Sequence, residues 1–410
     1  MAIADKLTTI AGIKTDIRTA INGKGGSLTS GSPFSAYSAA ISSLPSGGGG
    51  GASSTDWSQI GYTGAPQAVQ DAFSYAKSIH DNWDPTVTNH QNKFNNNKDL
   101  VFMPLVETSG VTTMQSMFSG CTNLGAVPLL NTSACTSMQG MFHTCTSLTS
   151  VPAFNTSACT DMSYMFYGCS GLTTVPLFDS SSVTNMSFMF NSCKSLTAVP
   201  AFNTSACTNM YAMFSACSGL TSAPLFDTSN VTEMRYMFQY CSGLTSVAAF
   251  NTSACTNMAY TFDCCSGLTS LPAFDTRQVT SMEQTFRQCK SLQKITSLDM
   301  DKCTSFSLMF GPTPTAGGNL RFMLLKGLGT PSGVTSYADS RMYICTNWGV
   351  DSTDIPDARQ SLVDSLLTYS FDRATAGYAT CTIKLSSNSY NQLTAQELAD
   401  IQAKGYNITK

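Results

Sequence analysis

The chain has 410 residues, of which 42% are hydrophobic and only 11% charged, and its formal net charge is −3. It contains no cluster of lysine and arginine, and a nucleic-acid-binding protein needs such a basic surface to displace counterions, so no nucleic acid partner is expected. No apolar run approaches the ~20 residues that span a bilayer, so membrane insertion is not expected. The first residues lack an uninterrupted apolar segment, which predicts that a secretory signal is absent.

Residues 1–45 are predicted to form a helical anchoring segment. Its apolar seam follows a heptad-like spacing and consists of Ile3, Leu7, Ile10, Ile17 and Ile21. Three heptads make only a short coiled coil. The segment is therefore either an oligomerising or docking helix, with a homotrimer left open, or a helix packed on its own chain. A second helix is predicted to begin at Ser32-Pro33 and to end at Pro45.

A flexible linker and a cap are predicted to follow. The linker covers 46–55, where five glycines, Gly47 to Gly51, lie together. Residues 56–99 are predicted to form an N-terminal cap, because an open solenoid end would expose its core. The cap contains a helix from Pro66, and one face of that helix carries Val69, Phe73, Ala76 and Trp83.

Residues 100–316 repeat one 24-residue phrase nine times without insertion or deletion. The nine leucines that begin each copy are Leu100, Leu124, Leu148, Leu172, Leu196, Leu220, Leu244, Leu268 and Leu292. A fixed period of this length predicts a solenoid, in which each copy is one coil stacked on the next. We number each coil from its leucine, which is position 1.

Each coil is predicted to contain a strand, a turn and a short helix. Leucine at position 1 and valine at position 4 fit a short strand of a parallel sheet, which proline at position 5 would end. Asn/Asp-Thr-Ser at positions 8–10 predicts a turn. Positions 13–22 read T-x-M-x-x-M-F-x-x-C, whose apolar spacing predicts a helix capped by the threonine. The predicted fold class is an α/β repeat: a leucine-rich-repeat solenoid with a parallel sheet on one face and short helices on the other, capped at both ends.

The repeated phrase L-T-x-V-P-x-F-[ND]-T-S-x-V-T-x-M-x-x-M-F-x-x-C resembles the BspA-type leucine-rich repeats and the M-x-x-M-F repeats of mycoplasma surface lipoproteins. The resemblance covers 100–316. It implies a surface-exposed adhesion or ligand-binding protein without enzymatic activity. The chain departs from the secreted members in that neither a signal peptide nor a lipobox is expected from its first residues.

The amino end resembles a different group. The sequence MAIADKLTTIA, followed by Pro33, Phe34, Tyr37 and Ile41, is similar to the amino ends of bacteriophage tail and fibre proteins. That resemblance implies a docking role for 1–45 toward other virion proteins, and release by lysis would explain the missing secretory signal.

A C-terminal α/β cap is predicted over 317–410. It comprises a strand at Leu320–Leu328, a helix at Ala358–Asp372 and a strand at Thr380–Leu385. A last helix begins with a capping box of Thr394 and Glu397. Gly405 stands where a helix C-terminus favours glycine.

Candidate chemical groups are interpreted as structural. Of the 16 cysteines, eight fall at position 22 and five at position 12, where valine also occurs, so they are predicted to form reduced, buried ladders. His80, His90 and His143 share no coil position, so no metal site, cofactor or catalytic residue is predicted. The aspartates at position 8 alternate with asparagine and are interpreted as turn formers.

The phenylalanines at position 7 leave two alternatives. They are Phe154, Phe178, Phe202, Phe226, Phe250 and Phe274. Strict strand alternation would turn them outward as a ligand face, whereas a chain reversal at the position-5 proline would bury them. Regular recurrence favours the core.

The preferred functional hypothesis is a bacteriophage fibre or tail-tip protein, located in the virion, that binds a host surface glycan or protein through its solenoid. One alternative is a bacterial cell-surface adhesin of the BspA type. The other is a phage head decoration without a ligand.

Overall fold

The computed structural model describes residues 67–310, 322–326, 358–368, 370, 381–385 and 387–410. The predicted anchoring segment 1–45 and linker 46–55 lie outside the described residues. The chain divides into two compact units. The first runs to Thr160 and includes Met165–Asp179, and the second comprises Asp161–Tyr164 and everything from Ser180 onward.

The helix predicted from Pro66 is observed as α1, Gln67–Asp81. It buries Ala72, Ala76 and Ile79, whereas the predicted side chains of Val69 and Phe73 lie outside the described ones. Trp83 follows the helix, and its indole Nε1 donates a hydrogen bond to the Glu107 carbonyl at 2.7 Å. This bond ties the end of α1 to the first leucine-initiated coil.

Both units repeat the same coil, and its core is built from the recurring apolar positions. The nine position-1 leucines are at most 2% exposed, and the methionines at positions 15 and 18 are buried equally well. The position-19 phenylalanines stack on one another, at centroid distances of 5.5 to 5.7 Å in the first unit and 5.5 to 6.0 Å in the second. The leucines therefore point into the core, and stacked rings extend this core from coil to coil.

The predicted parallel strands are present and very short. In the second unit they are β1, Ser222–Ala223; β2, Ser246–Val247; β3, Ser270–Leu271; and the longer β4, Lys294–Asp299. β1 pairs with β2, and β3 with β4, in parallel and with a register of one period. Proline follows β1 and β3 directly, and because proline has no N–H the ladder stops there.

The helix predicted at positions 13–22 is wrong, because the described coils form turns at these positions. In the coil that begins at Leu196, the N–H groups of Met210, Ala212, Phe214 and Ala216 donate to carbonyls of the next coil at 2.6 to 3.3 Å. The alternate N–H groups close tight turns within the coil, as from Cys217 to the Phe214 carbonyl at 3.0 Å. An α-helix would use all these groups internally, leaving none to join the coils.

This turn path requires left-handed backbone at positions 17 and 21. Ala212 and Ala216 have φ values of 51° and 60°, and the corresponding residues of other coils are alike. The threonine predicted as a helix cap serves another purpose. Thr208 donates from its hydroxyl to the Thr184 carbonyl at 3.4 Å, one coil earlier.

The turn path begins one copy before Leu100, inside the predicted cap. Asn92 and Asn96 have φ values of 58° and 61°, and the Phe94 ring stacks on Phe118 at 5.7 Å. The His90 N–H donates to the Thr113 carbonyl at 3.1 Å. This divergent coil lacks the initial leucine and both methionines, which is why the sequence pattern did not reveal it.

The C-terminal elements lie in the second unit. β5, Phe322–Lys326, lies within the predicted strand and pairs in parallel with β4. The predicted helix is α2, Ala358–Val363, continued by a π-helical turn at Asp364–Thr368, and its predicted end at Asp372 lies outside the described residues. The predicted strand is observed as β6, Cys381–Lys384.

The last helix has the predicted ends. A short α3, Ser387–Tyr390, precedes α4, Ala395–Ala403, whose capping box joins Thr394 and Glu397. Gly405 has a φ of 87° just past the helix, as predicted. A strand that the sequence did not predict, β7 at Tyr406–Thr409, pairs in parallel with β6.

Candidate recognition surface

The position-7 phenylalanines do not form a ligand face. Phe154, Phe178, Phe202, Phe226, Phe250 and Phe274 are between 1% and 6% exposed. The chain reverses just before them: the Phe202 N–H donates to the Pro200 carbonyl at 3.0 Å, closing a three-residue turn that sends the ring inward. The outward direction required for a ligand face is excluded, and the core interpretation is confirmed.

The same reversal exposes position 6. Leucines occupy this position in four coils, and Leu105, Leu129, Leu177 and Leu225 are 45% to 63% exposed. Position 6 carries alanine in several other coils, such as Ala201 and Ala249. The row of leucines is therefore interrupted.

The thiols of the described coils are free and mostly buried, as predicted. Within each unit, position-22 thiols donate to a carbonyl of the preceding coil, as from Cys217 Sγ to Phe190 at 2.9 Å. Burial raises the pKa of Cys169 and of Cys217 to about 12, so neither is a nucleophile at neutral pH. These thiols act as core groups.

The position-8 aspartates are turn formers, as predicted. The Asp227 carboxylate accepts hydrogen bonds from the Ser229 N–H at 3.0 Å and the Ser229 hydroxyl at 2.7 Å. Asn251 accepts from the Ser253 N–H in the same way. Among the described residues, no group of three or more His, Cys, Asp and Glu side chains is arranged to hold a metal ion.

The histidines are dispersed in the structure. His90 is buried against the Trp83 ring, with a centroid distance of 4.5 Å. The ring of His143 stacks on Tyr167 at 4.7 Å. The described part of the chain contains no helix with the length and apolar character to cross a membrane.

An aromatic row runs along the turns of the second unit, and the repeat pattern did not predict it. We call it the tyrosine ridge, and it consists of Tyr164, Phe188, Tyr211, Tyr236 and Tyr260. Successive ring centroids are 4.6, 5.0, 5.4 and 4.7 Å apart. All five side chains are half-buried, so one side of the ridge faces solvent.

The coil geometry places these rings. Tyr211 occupies position 16 and the other four occupy position 17, where φ is between 57° and 60° for Tyr164, Phe188 and Tyr260. A left-handed backbone costs a non-glycine residue about 1–2 kcal/mol. Gly140 occupies position 17 in another coil, so the aromatic residues are not required by the backbone.

The rings at the two ends of the ridge stack face to face, whereas Tyr211 in its middle is inclined by 51° to Phe188 and by 66° to Tyr236. Phe188 and Tyr164 are inclined by only 17°, and Tyr236 and Tyr260 by 24°, so these faces cover each other. The Tyr260 hydroxyl accepts from Gln284 Nε2 at 2.8 Å and donates to Glu283 Oε1 at 3.2 Å. Burial raises the pKa of Tyr236 and Tyr260, so both hydroxyls remain protonated at neutral pH.

One cation lies within the ridge. The Arg235 guanidinium is 5.0 Å from the Tyr211 ring centroid and 5.8 Å from that of Tyr236. Its Nη2 atom is 3.9 Å from Glu233 Oε2, and its side chain is 40% exposed. Arg235 is therefore held between two aromatic rings while its outer end reaches solvent.

A buried ion pair is located at position 20 of two adjacent coils. The Asp263 carboxylate is fully buried, and it accepts from Arg287 Nε at 2.8 Å and Nη2 at 2.9 Å. Gln239 Nε2 donates to the same carboxylate at 3.0 Å. The pair raises the pKa of Arg287 further above its usual range. This network joins three coils next to the ridge positions.

Short parallel strands, a leucine at the start of each coil and stacked inner rings define a leucine-rich-repeat solenoid. The profile of the family described as "Mycoplasma protein of unknown function, DUF285" matches residues 87–175, 136–225, 172–266 and 224–321. Together these matches cover more than half of the chain, and the chain belongs to this family. Its first matched residues include the divergent coil before Leu100.

The comparison with solved structures found leucine-rich-repeat proteins of low similarity. A leucine-rich cell surface protein from Faecalibacterium prausnitzii has a TM-score of 0.32 and 18% identity, covering 59% of this chain and 78% of its own. A leucine-rich repeat protein from Bacteroides ovatus has a TM-score of 0.24 and 12% identity over 79% and 88%. An internalin from Listeria monocytogenes has a TM-score of 0.25 and 12% identity over 56% and 74%. No curated protein sequence matches the chain.

Proposed function

We propose that this chain is a non-catalytic recognition protein whose protein partner docks on the tyrosine ridge. The observation that carries the proposal is the unbroken aromatic row across five coils, at positions where the repeat elsewhere accepts serine, glycine or alanine. Tyrosine and arginine are enriched among the residues that dominate binding energy in protein interfaces. A rigid coil stack holds these side chains in place before binding, which limits the entropy lost on docking.

A protein partner fits the ridge better than a glycan. Aromatic residues that bind sugars offer an open ring face, whereas two pairs of rings in the ridge cover each other's faces and the Arg235 guanidinium lies over the Tyr211 ring. Exposed edges and phenol hydroxyls instead suit a partner that supplies apolar side chains and hydrogen-bond acceptors. We therefore favour the protein over the glycan among the surface receptors expected from the sequence.

The cellular setting of this recognition has two alternatives. In the phage hypothesis, residues 1–45 attach the chain to other virion proteins, and the solenoid binds a host receptor. In the bacterial hypothesis, the chain is a surface adhesin. The matching family is described by a bacterial genus, which favours the adhesin. Detection of the chain in purified virions, and not on intact cells, would decide for the fibre.

The test measures binding of the fluorescently labelled full chain to candidate bacterial cells, with and without their capsules. Two ridge variants, Tyr236→Ala and Tyr211→Ser, introduce residues that other coils carry at the same positions, so the coil path is retained. We expect each to weaken binding roughly tenfold or more, as for an interface anchor. Leu225→Ala is the matched control, since it removes an exposed apolar side chain from position 6.

The outcomes separate the two surfaces. Unchanged binding by both ridge variants, or the absence of binding to every cell type, contradicts the proposal. Loss of binding in Leu225→Ala alone would transfer the docking surface to position 6. Circular dichroism and urea unfolding of each variant show whether the coils remain folded.

A further inference from the structure

Arg235 is held in place but not neutralised by a close partner. The two flanking rings restrict its guanidinium, at 5.0 and 5.8 Å. The contact with Glu233 is 3.9 Å long, which is beyond hydrogen-bond distance. Its Nε atom is buried and has no hydrogen-bond partner among the described residues. The half-exposed outer end of the side chain therefore keeps donors available to a docking group.

The Glu233 carboxylate binds a backbone group rather than the Arg235 guanidinium. Its Oε1 atom accepts a hydrogen bond from the backbone N–H of Arg235 at 2.9 Å, which keeps the carboxylate at the base of the arginine. Two other arginines with ion pairs in this unit are held more tightly. Arg287 and Arg277 each form two hydrogen bonds with one aspartate, at 2.6 to 2.9 Å.

We propose that Arg235 is the specificity-determining residue of the tyrosine ridge and binds a side-chain carboxylate of an acidic segment in the protein partner. This inference rests on the proposed function of the ridge. A carboxylate matches the planar fork of a guanidinium with two parallel hydrogen bonds. The rings of Tyr211 and Tyr236 restrict the guanidinium before the partner arrives, so less side-chain entropy is lost on binding.

The surrounding charges favour a monoanion. The carboxylates of Glu233 and Glu283 lie next to Arg235 and Tyr260 respectively. A phosphate group would bring a second negative charge toward Glu233, and like charges at this distance repel. One carboxylate balances the single charge of Arg235, and the flanking aromatic edges suit an apolar residue beside it in the partner segment.

The experiment selects short random peptides, displayed on ribosomes, for binding to the immobilised full-length chain. The selected peptides are then measured against Arg235→Gln, Arg235→Lys, Glu233→Gln and the ridge variant Tyr236→Ala. Arg277→Gln is the matched control, because Arg277 is an exposed arginine that pairs with Asp275 outside the ridge.

We expect the selected peptides to be enriched in aspartate or glutamate. Arg235→Gln should weaken the binding of these peptides roughly tenfold or more, and Arg235→Lys should retain only part of the native affinity. Glu233→Gln should tighten binding, because it removes a competing charge but keeps an acceptor for the Arg235 N–H. Arg277→Gln should leave binding unchanged.

Peptides that lack acidic residues, or that bind Arg235→Gln as tightly as the native chain, overturn this inference. If such peptides still lose affinity in Tyr236→Ala, the ridge remains the docking surface and only the carboxylate assignment fails. If no peptide is enriched, both the carboxylate assignment and the proposed function fail. Both also fail if neither Arg235→Gln nor Tyr236→Ala changes the affinity of the selected peptides. Binding to an acidic polysaccharide but not to any peptide would also overturn the inference.

Discussion

Arg287 donates two hydrogen bonds, at 2.8 and 2.9 Å, to the fully buried carboxylate of Asp263, one coil earlier. The pair fixes the register of two coils at the edge of the tyrosine ridge. Gln239 adds a third donor from the coil before. Because the carboxylate is removed from water, its charge depends on these partners for compensation.

Arg287→Met is therefore expected to lower the free energy of unfolding by about 3 kcal/mol, since it leaves an uncompensated buried charge. The matched double variant, Asp263→Ser with Arg287→Ser, introduces a residue that position 20 carries in Ser119 and Ser215. It should recover much of that loss. Urea unfolding measures both. Equal losses in the single and double variants would show that the pair is not the cause.

Because the backbone at position 21 is left-handed, a glycine substitution there is expected to stabilise the fold. Ala216 has a φ of 60°, so Ala216→Gly should relieve strain and raise the free energy of unfolding by up to about 1 kcal/mol. In a helix the same change would lower it by a similar amount. Ala259→Gly is the control, because Ala259 has no positive φ and is buried, so it should destabilise. A destabilising Ala216→Gly would favour the helix instead.

The sequence predicted the core well because the same side chains recur at fixed positions. It failed on the backbone between them. Met210, Met213, Phe214 and Cys217 have the spacing of one helix face, yet they also point inward from consecutive turns. Apolar spacing does not reveal whether an N–H pairs within its coil or with the next one, and that choice separates a helix from these turns.

The ridge was missed for a related reason. Residues that recur identify the core, whereas a recognition surface uses positions that vary within a fixed repeat. Position 17 carries serine, glycine and alanine as well as Tyr164 and Tyr236, so it does not belong to the recurring core pattern. The ion pair could have been predicted from the sequence, because Asp263 and Arg287 have opposite charges and lie one period apart. The sequence alone could not show that the rings are half-exposed or that they stack on one another.

His90 predicts a pH dependence of stability. Burial lowers its pKa to about 4, with a smaller contribution from the Lys93 charge and an opposing one from Asp84. The unfolded chain, with a histidine pKa of about 6.5, binds more protons between these two values. Stability is therefore complete above pH ~6.5 and is lost as the pH falls toward ~4, by on the order of 3 kcal/mol.

His90→Leu should remove most of this dependence, and urea unfolding at several pH values measures it. Burial also lowers the pKa of His143, so a smaller dependence of the same sign should remain. The carboxylates with lowered pKa, such as Asp227 and Asp275, contribute only at lower pH, near or below their usual range. An unchanged slope in His90→Leu would assign the effect elsewhere.

Two cysteine positions should differ in their tolerance of valine. Cys207→Val, at position 12, should change the free energy of unfolding by less than about 1 kcal/mol, because Val183 and Val231 occupy the same site. Cys217→Val, at position 22, should cost about 1–3 kcal/mol, since it forces extra volume into a filled core and removes the thiol bond to Phe190. Urea unfolding compares the two. Equal losses in the free energy of unfolding would indicate that position 22 requires only a side chain of suitable volume.

The chain reversal at position 5 can be strengthened in the one coil where alanine occupies it between two proline-containing coils. The Phe250 N–H donates to the Ala248 carbonyl at 3.0 Å, the same bond that Phe202 makes with Pro200. Since the native turn already suits proline, Ala248→Pro should raise the free energy of unfolding by about 0.4–1 kcal/mol, mainly by restricting the unfolded chain. Ala248→Gly should lower it for the opposite reason. If the proline variant is less stable, the reversal in this coil differs from its neighbours, and the inward direction of Phe250 must depend on ring stacking with Phe226 and Phe238 instead.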